Sequence, residues 1–182
     1  MPTITVTTWY LEILDSRDLR PKRSPRADLA LLRVEAPMPE LNRFLYATVG
    51  GAWYWTDRLP WTYRQWLDYL SRPELQTWLL TAAGVPAGYF ELEAQPEQNV
   101  EIAYFGLLPS FVGHGLGGHL LTCAIECGFA MGARRVWLHT CTLDHPQALA
   151  NYQARGLRLY RQETDEKEIR AAPVGPWPGA FE

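Results

Sequence analysis

Residues 107–118 read Leu-Leu-Pro-Ser-Phe-Val-Gly-His-Gly-Leu-Gly-Gly, and this run constrains the fold more than any other. The apolar and aromatic stretch Val100 to Leu107 predicts a strand ending here. Pro109 breaks it. Beyond the glycines, Leu116, Leu120, Cys123, Cys127 and Met131 recur at intervals of three and four, which predicts one buried helix face. A strand that turns through glycines into a helix is an α/β junction. Glycine lets backbone N–H groups turn toward a ligand with no Cβ in the way. The first turn of a helix leaves its amides unpaired at the positive end of the dipole. The junction therefore predicts an anion site of phosphate or pyrophosphate size over 112–118. Close strand-to-helix packing is the alternative use of the same glycines.

Two nucleotide motifs are excluded by what surrounds the loop. A Walker loop requires Gly-Lys followed by Ser or Thr, and no lysine follows Gly118. A Rossmann fingerprint requires an N-terminal βαβ unit and an acidic residue at the end of the next strand. Here His139-Thr140-Cys141 stands at that end.

The rest of the chain supplies the order of elements. Thr3 to Ile13 predicts a strand. Residues 17–26 hold Arg17, Arg20, Lys22, Arg23 and Arg26 among prolines, and predict a loop with a local positive patch, solvated or anion-steering. Pro39 to Val49 and Thr62 to Ser71 predict helices, the first stopped by Gly50-Gly51. Leu75 to Thr81, Gly88 to Glu93 and Val100 to Leu107 predict a three-strand meander, with turns at Gly84-Val85-Pro86 and Gln95 to Asn99. Val136 to Thr140 predicts a strand. Asp144 to Arg155 predicts a helix with Asp144 as N-cap and Gly156 beyond its end, and Leu157 to Glu163 a last strand. The order β, α, α, β, β, β, α, β, α, β predicts an α/β fold with a mixed sheet, an antiparallel meander followed by βαβαβ. Residues 1–171 read as a single domain, and 172–182 as an irregular Pro/Gly-rich tail.

Composition narrows the function classes. A net charge of −3 gives no field to hold nucleic acid, and no apolar run is long enough for a membrane span. The N-terminus has no basic segment followed by an apolar core, and the three cysteines form no CxxC pair, so the reading is cytoplasmic with no metal. Cys123 and Cys127 fall on the buried stripe.

The glycine run carries a resemblance. Glu101 to Pro109 followed by Val112-Gly113-His114-Gly115-Leu116-Gly117 resembles the acetyl-CoA-binding motif of the GNAT superfamily of N-acetyltransferases. That motif is Arg or Gln, two free positions, Gly, one free position, then Gly or Ala. Gly115 and Gly117 match it, and Val112 stands in place of the Arg/Gln. Pro146 to Leu157 is similar to the family helix bearing a tyrosine four residues before a Gly-Phe pair, with His145 where many relatives have Asn.

The resemblance implies transfer of an acetyl group from acetyl-CoA to an amine acceptor, a small molecule or a peptide, in a ternary complex. It leaves a homodimer open. It implies a cofactor site over Leu107, Leu108, Val112, Gly113, His114, Gly115, Leu116, Gly117, Gly118 and His145. A backbone N–H near Leu107 is expected at the thioester carbonyl. Glu101 is the implied base, with Glu91, Glu93 and His139 as rivals, and Tyr152 the implied acid. The acceptor would meet the connection between the first two helices, at Trp53, Tyr54, Trp55 and Asp57; there Asp57 could attract an ammonium and Arg58 a carboxylate. The alternative of another class is a module of this fold that binds acyl-CoA without catalysis.

Overall fold

The structure is a computed structural model that describes residues 3–169. The expected tail at 172–182 lies outside the described residues.

The elements run β1 (Thr3–Ile13), β2 (Leu29–Val34), α1 (Pro39–Gly50), α2 (Tyr63–Leu70), β3 (Leu75–Ala82), β4 (Val85–Gln95), β5 (Asn99–Leu107), α3 (Leu116–Ala130), β6 (Arg135–Cys141), α4 (Ala148–Ala154) and β7 (Arg158–Glu168). One seven-stranded mixed sheet has the order β2-β3-β4-β5-β6-β1-β7. The meander β3-β4-β5 is antiparallel, and β5 pairs with β6 in parallel. The expected α/β class with a mixed sheet therefore holds.

Three local expectations are corrected. β2 has no counterpart in the sequence reading. It is an edge strand that pairs with β3 alone and stays half exposed, so its residues carry little apolar alternation. Asp144 does not cap α4. Its Oδ2 accepts from Thr140 Oγ1 at 2.8 Å and from Cys141 N at 2.9 Å, closing the turn after β6, and the helix begins later, at Ala148. The last strand runs five residues past Glu163, to Glu168. It does not lie beside β6: β1 sits between β6 and β7 and is antiparallel to both.

The two faces of the sheet hold different cores. On one face Phe90, Leu92, Ile102, Val136 and Leu138 pack against Leu120, Leu121, Ala124 and Ile125 of α3, and Tyr152 of α4 joins them. On the other, α1 and α2 bring Leu45, Tyr46, Val49 and Trp66 over Tyr89 and Tyr104. A strand alternates faces residue by residue, so Ile102 and Tyr104 should share a face. They do not. Glu91 is opposite Tyr104 and Leu92 opposite Ile102, which leaves Ala103 as an extra, bulged residue. The bulge resets the alternation. It puts Glu101 and Tyr104, three residues apart, on the α1/α2 face together.

Candidate active site

The site begins where the sheet divides. β5 and β6 pair only at Asn99–Arg135, Val100–Val136 and Glu101–Trp137. Beyond that point β5 runs on to Leu107 and β6 to Cys141 without pairing to each other. The fork opens a cleft of about 1930 Å³ that reaches from the glycine loop to the connection between α1 and α2.

The glycine loop lies on the α3/α4 face of the fork. Gly113 and Gly115 have φ of +84° and +75°, a conformation only glycine adopts without strain. Gly115 is the N-cap of α3 and no side chain caps that helix. Among the described residues the amides of 113–118 find no hydrogen-bond partner. Asn151 of α4 donates its Nδ2 to Gly117 O at 3.3 Å and ties the helix to the loop.

Of the expected cofactor residues, Leu107, Val112, Gly113, Gly115, Gly117, Gly118 and His145 line the cleft. Leu108, His114 and Leu116 do not. Leu116 is fully buried in the core, so only its backbone can face a ligand. The Leu108 N–H is spent on Ala87 O at 2.9 Å. Successive strand amides point to opposite sides, so the Leu107 N–H points away from β4, into the fork.

Glu101 stands at the apex of the fork on the α1/α2 face, with 15% of its side chain exposed. Gln95 Nε2 donates to its Oε2 at 2.8 Å, and Gln95 Oε1 in turn accepts from Trp137 Nε1 at 2.9 Å. His139 Nδ1 lies 3.6 Å from Glu101 Oε1, and the His139 ring, half exposed, sits beside Tyr10 and Trp137. Tyr152 lines the same cleft from the other face, buried and edge-on to Phe105. Burial, helped by Asp144, raises the Tyr152 phenol well above the ordinary tyrosine range. Burial also raises the Cys141 thiol, which keeps it in the poorly nucleophilic form.

Two of the rival carboxylates have other tasks. Glu91 is fully buried and absent from the cleft lining. Arg58 Nη1 donates to its Oε2 at 2.8 Å, Tyr69 OH donates to the same oxygen at 2.9 Å, and Asn42 Nδ2 donates to Oε1 at 3.2 Å. Glu93 lines the cleft but is clamped by Arg72 through two bonds, 2.9 and 3.2 Å long.

This corrects the expectation for Arg58 as well. Its guanidinium is 7% exposed and packs over Tyr69 and Tyr104 at 4.0 and 4.1 Å. It holds the α1–α2 connection to the sheet and has no free face for a substrate carboxylate. Much of the aromatic richness around it is therefore a cage for a buried cation. Trp53, Tyr54, Trp55 and Asp57 do line the cleft, and Trp53 meets His145 edge-on at 5.1 Å across it.

The fold and the site thus join a split mixed sheet to unpaired amides at a strand–glycine–helix junction. The model of the Acetyltransferase (GNAT) family matches residues 37–157, and the chain belongs to that family. Solved structures of similar fold include a GCN5-related N-acetyltransferase from Kribbella flavida, 23% identical with a TM-score of 0.65, covering 90% of this chain and 58% of that one. One from Sphaerobacter thermophilus is 18% identical with a TM-score of 0.65, covering 94% and 54%. An aminoglycoside acetyltransferase from an uncultured soil metagenomic sample is 13% identical with a TM-score of 0.58, covering 70% and 87%. This chain thus spans under two thirds of the length of the first two. No curated protein sequence matches it. Among the described residues no helix is long and apolar enough to cross a membrane.

Proposed function

We propose that the protein transfers an acetyl group from acetyl-CoA to an amine by direct attack at the fork between β5 and β6. One observation carries the reading: the unpaired amides of 113–118, Glu101 and Tyr152 open into one cleft, from opposite faces of a divided sheet.

Acetyl-CoA would supply the activated acyl group as a thioester. The loop amides receive its pyrophosphate with backbone donors alone, because Val112 has no side-chain donor to add. The Leu107 N–H donates to the carbonyl oxygen, where charge develops during attack. The acceptor enters from the α1/α2 face, between the aromatic connection and Glu101. An ammonium has no lone pair, so Glu101 takes one proton from it, directly or through a water. The amine nitrogen bonds to the acyl carbon and loses its second proton to solvent, the carbon–sulfur bond breaks with its electron pair on sulfur, and Tyr152 gives that thiolate a proton and regains one from solvent. Burial keeps the phenol neutral, so it holds the proton it must give, and also makes it a weaker acid than an exposed tyrosine.

Glu101 and Asp57 line the acceptor end and pair with no arginine or lysine among the described residues, which favours a cationic amine. The named activity of the metagenomic neighbour, on aminoglycosides, is of that chemical kind. The test is thiol release from acetyl-CoA across a panel of mono- and polyamines, amino acids and peptides. Amine-dependent release supports transfer. A thermal shift with acetyl-CoA but no release on any amine supports the binding-module alternative.

A further inference from the structure

The positive patch at 17–26 is only partly used within the fold. Arg17 pairs with Asp15, Arg23 with Glu126 and Arg26 with Asp28. Lys22 pairs with no acid among the described residues, and its chain segment is fastened to α3. Lys22 N donates to Thr122 Oγ1 at 2.9 Å, and Thr122 Oγ1 donates to Gly118 O at 2.7 Å. Two residues earlier, Arg20 N donates to Arg155 O at 3.0 Å. These bonds place Lys22 and Arg155 side by side over the first turn of α3, and both line the cleft. The approach is close enough to need glycine: a Cβ on Gly118 would lie 2.5 Å from Arg155 Nη1 and 2.7 Å from Lys22 Cδ. Arg155 also has no acidic partner among the described residues, and its buried Nε finds no hydrogen-bond acceptor.

Two unpaired cations held together at a cleft wall call for a dianion. We infer that Lys22 and Arg155 form a subsite for the ribose 3′-phosphate of coenzyme A. The inference rests on the function proposed above and adds a recognition element that comes from outside the glycine loop. Coenzyme A carries two separate anionic groups. The loop amides suit the pyrophosphate, whose charge is spread over two phosphates. The 3′-phosphomonoester is a compact dianion with no donor left on the loop, and a paired lysine and arginine match it in charge and geometry. The protein would thereby read a phosphate that plays no part in the chemistry.

Calorimetric titration of the full chain with CoA and with 3′-dephospho-CoA tests this, in the wild type, Lys22→Ala, Arg155→Met and Gly118→Ala. The wild type should bind CoA about tenfold or more tighter than dephospho-CoA, an advantage that shrinks as salt is raised. Each variant should lose most of that advantage through weaker CoA binding. Lys22 is exposed, so its variant keeps the test open even if Arg155→Met folds poorly. Equal affinity of the wild type for the two ligands overturns the inference and leaves the proposed function standing. Equal losses for both ligands overturn it too, moving the cations to the pyrophosphate. Failure of the wild type to bind either ligand overturns the inference and the proposed function together.

Discussion

Glu101 and His139 face each other at the point where the sheet divides, with Oε1 and Nδ1 3.6 Å apart. Glu101 belongs to the last residue pair joining β5 to β6, and His139 lies two residues beyond that pair on β6. A carboxylate here is held by Gln95 of β4 and faced by His139 of β6, yet opens into the gap between β5 and β6. Gln95 supplies the hold: it takes a bond from Trp137 and gives one to Glu101.

Gln95 is therefore a positioning residue. Gln95→Ala should lower kcat roughly tenfold, the scale of one hydrogen bond to a charged group. The Kd for acetyl-CoA should stay unchanged, since Gln95 lies outside the cofactor end of the cleft. Equal kcat in the variant would show that Glu101 needs no such support.

Tyr152→Phe should lower kcat by about 10²–10⁴-fold with little change in CoA affinity, because its proton is needed only as the thiolate leaves. The same residue has a stability signature. Its pKa is raised in the folded state, so its contribution is fully present below the ordinary tyrosine value and lost as pH rises above it. Unfolding in urea should show stability that falls above about pH 10, less steeply in Tyr152→Phe by up to about 1.4 kcal/mol per pH unit.

The Arg58–Glu91 pair is structural. Arg58→Met or Glu91→Leu alone should cost about 3–5 kcal/mol, because each strands a buried charge. The double variant should cost clearly less than the sum of the two. Denaturation midpoints of the three variants decide this, and additive losses would contradict a direct buried pair.

Gly115→Val and Gly117→Val should each abolish the thermal shift given by CoA. At Gly115 the branched side chain must adopt φ +75°. At Gly117 a Cβ meets Asn151 Nδ2 at an ordinary 3.7 Å, so that variant should fold and lose only the ligand's space.

The glycine junction, the meander and both stretches carrying the family resemblance were legible because each depends on local chemistry: turn residues, alternation and helical spacing. The bulge at Ala103 was not legible. It arises from pairing with β4, and no turn residue marks it, so the shared face of Glu101 and Tyr104 is invisible in the chain itself. Asp144 misled for a related reason. An Asp before a helix serves as N-cap or as turn acceptor with the same local sequence, and the hydroxyl of Thr140 decides the matter here. Arg58 looked like a substrate contact because its partner Glu91 is 33 residues away. Lys22 and Arg155 are farther apart still in sequence and come together only over the first turn of α3.

The central claim is that Glu101 deprotonates the acceptor at the fork, and its most direct test is the pH dependence of kcat/KM for Glu101→Gln against the wild type, using an acceptor of known pKa. The account predicts a deficit of about 10²–10⁴-fold at neutral pH that narrows as pH approaches the acceptor's pKa and free amine becomes common. Equal kcat/KM for the two proteins from pH 6 to 9 would contradict it and pass the role to His139 or Glu93.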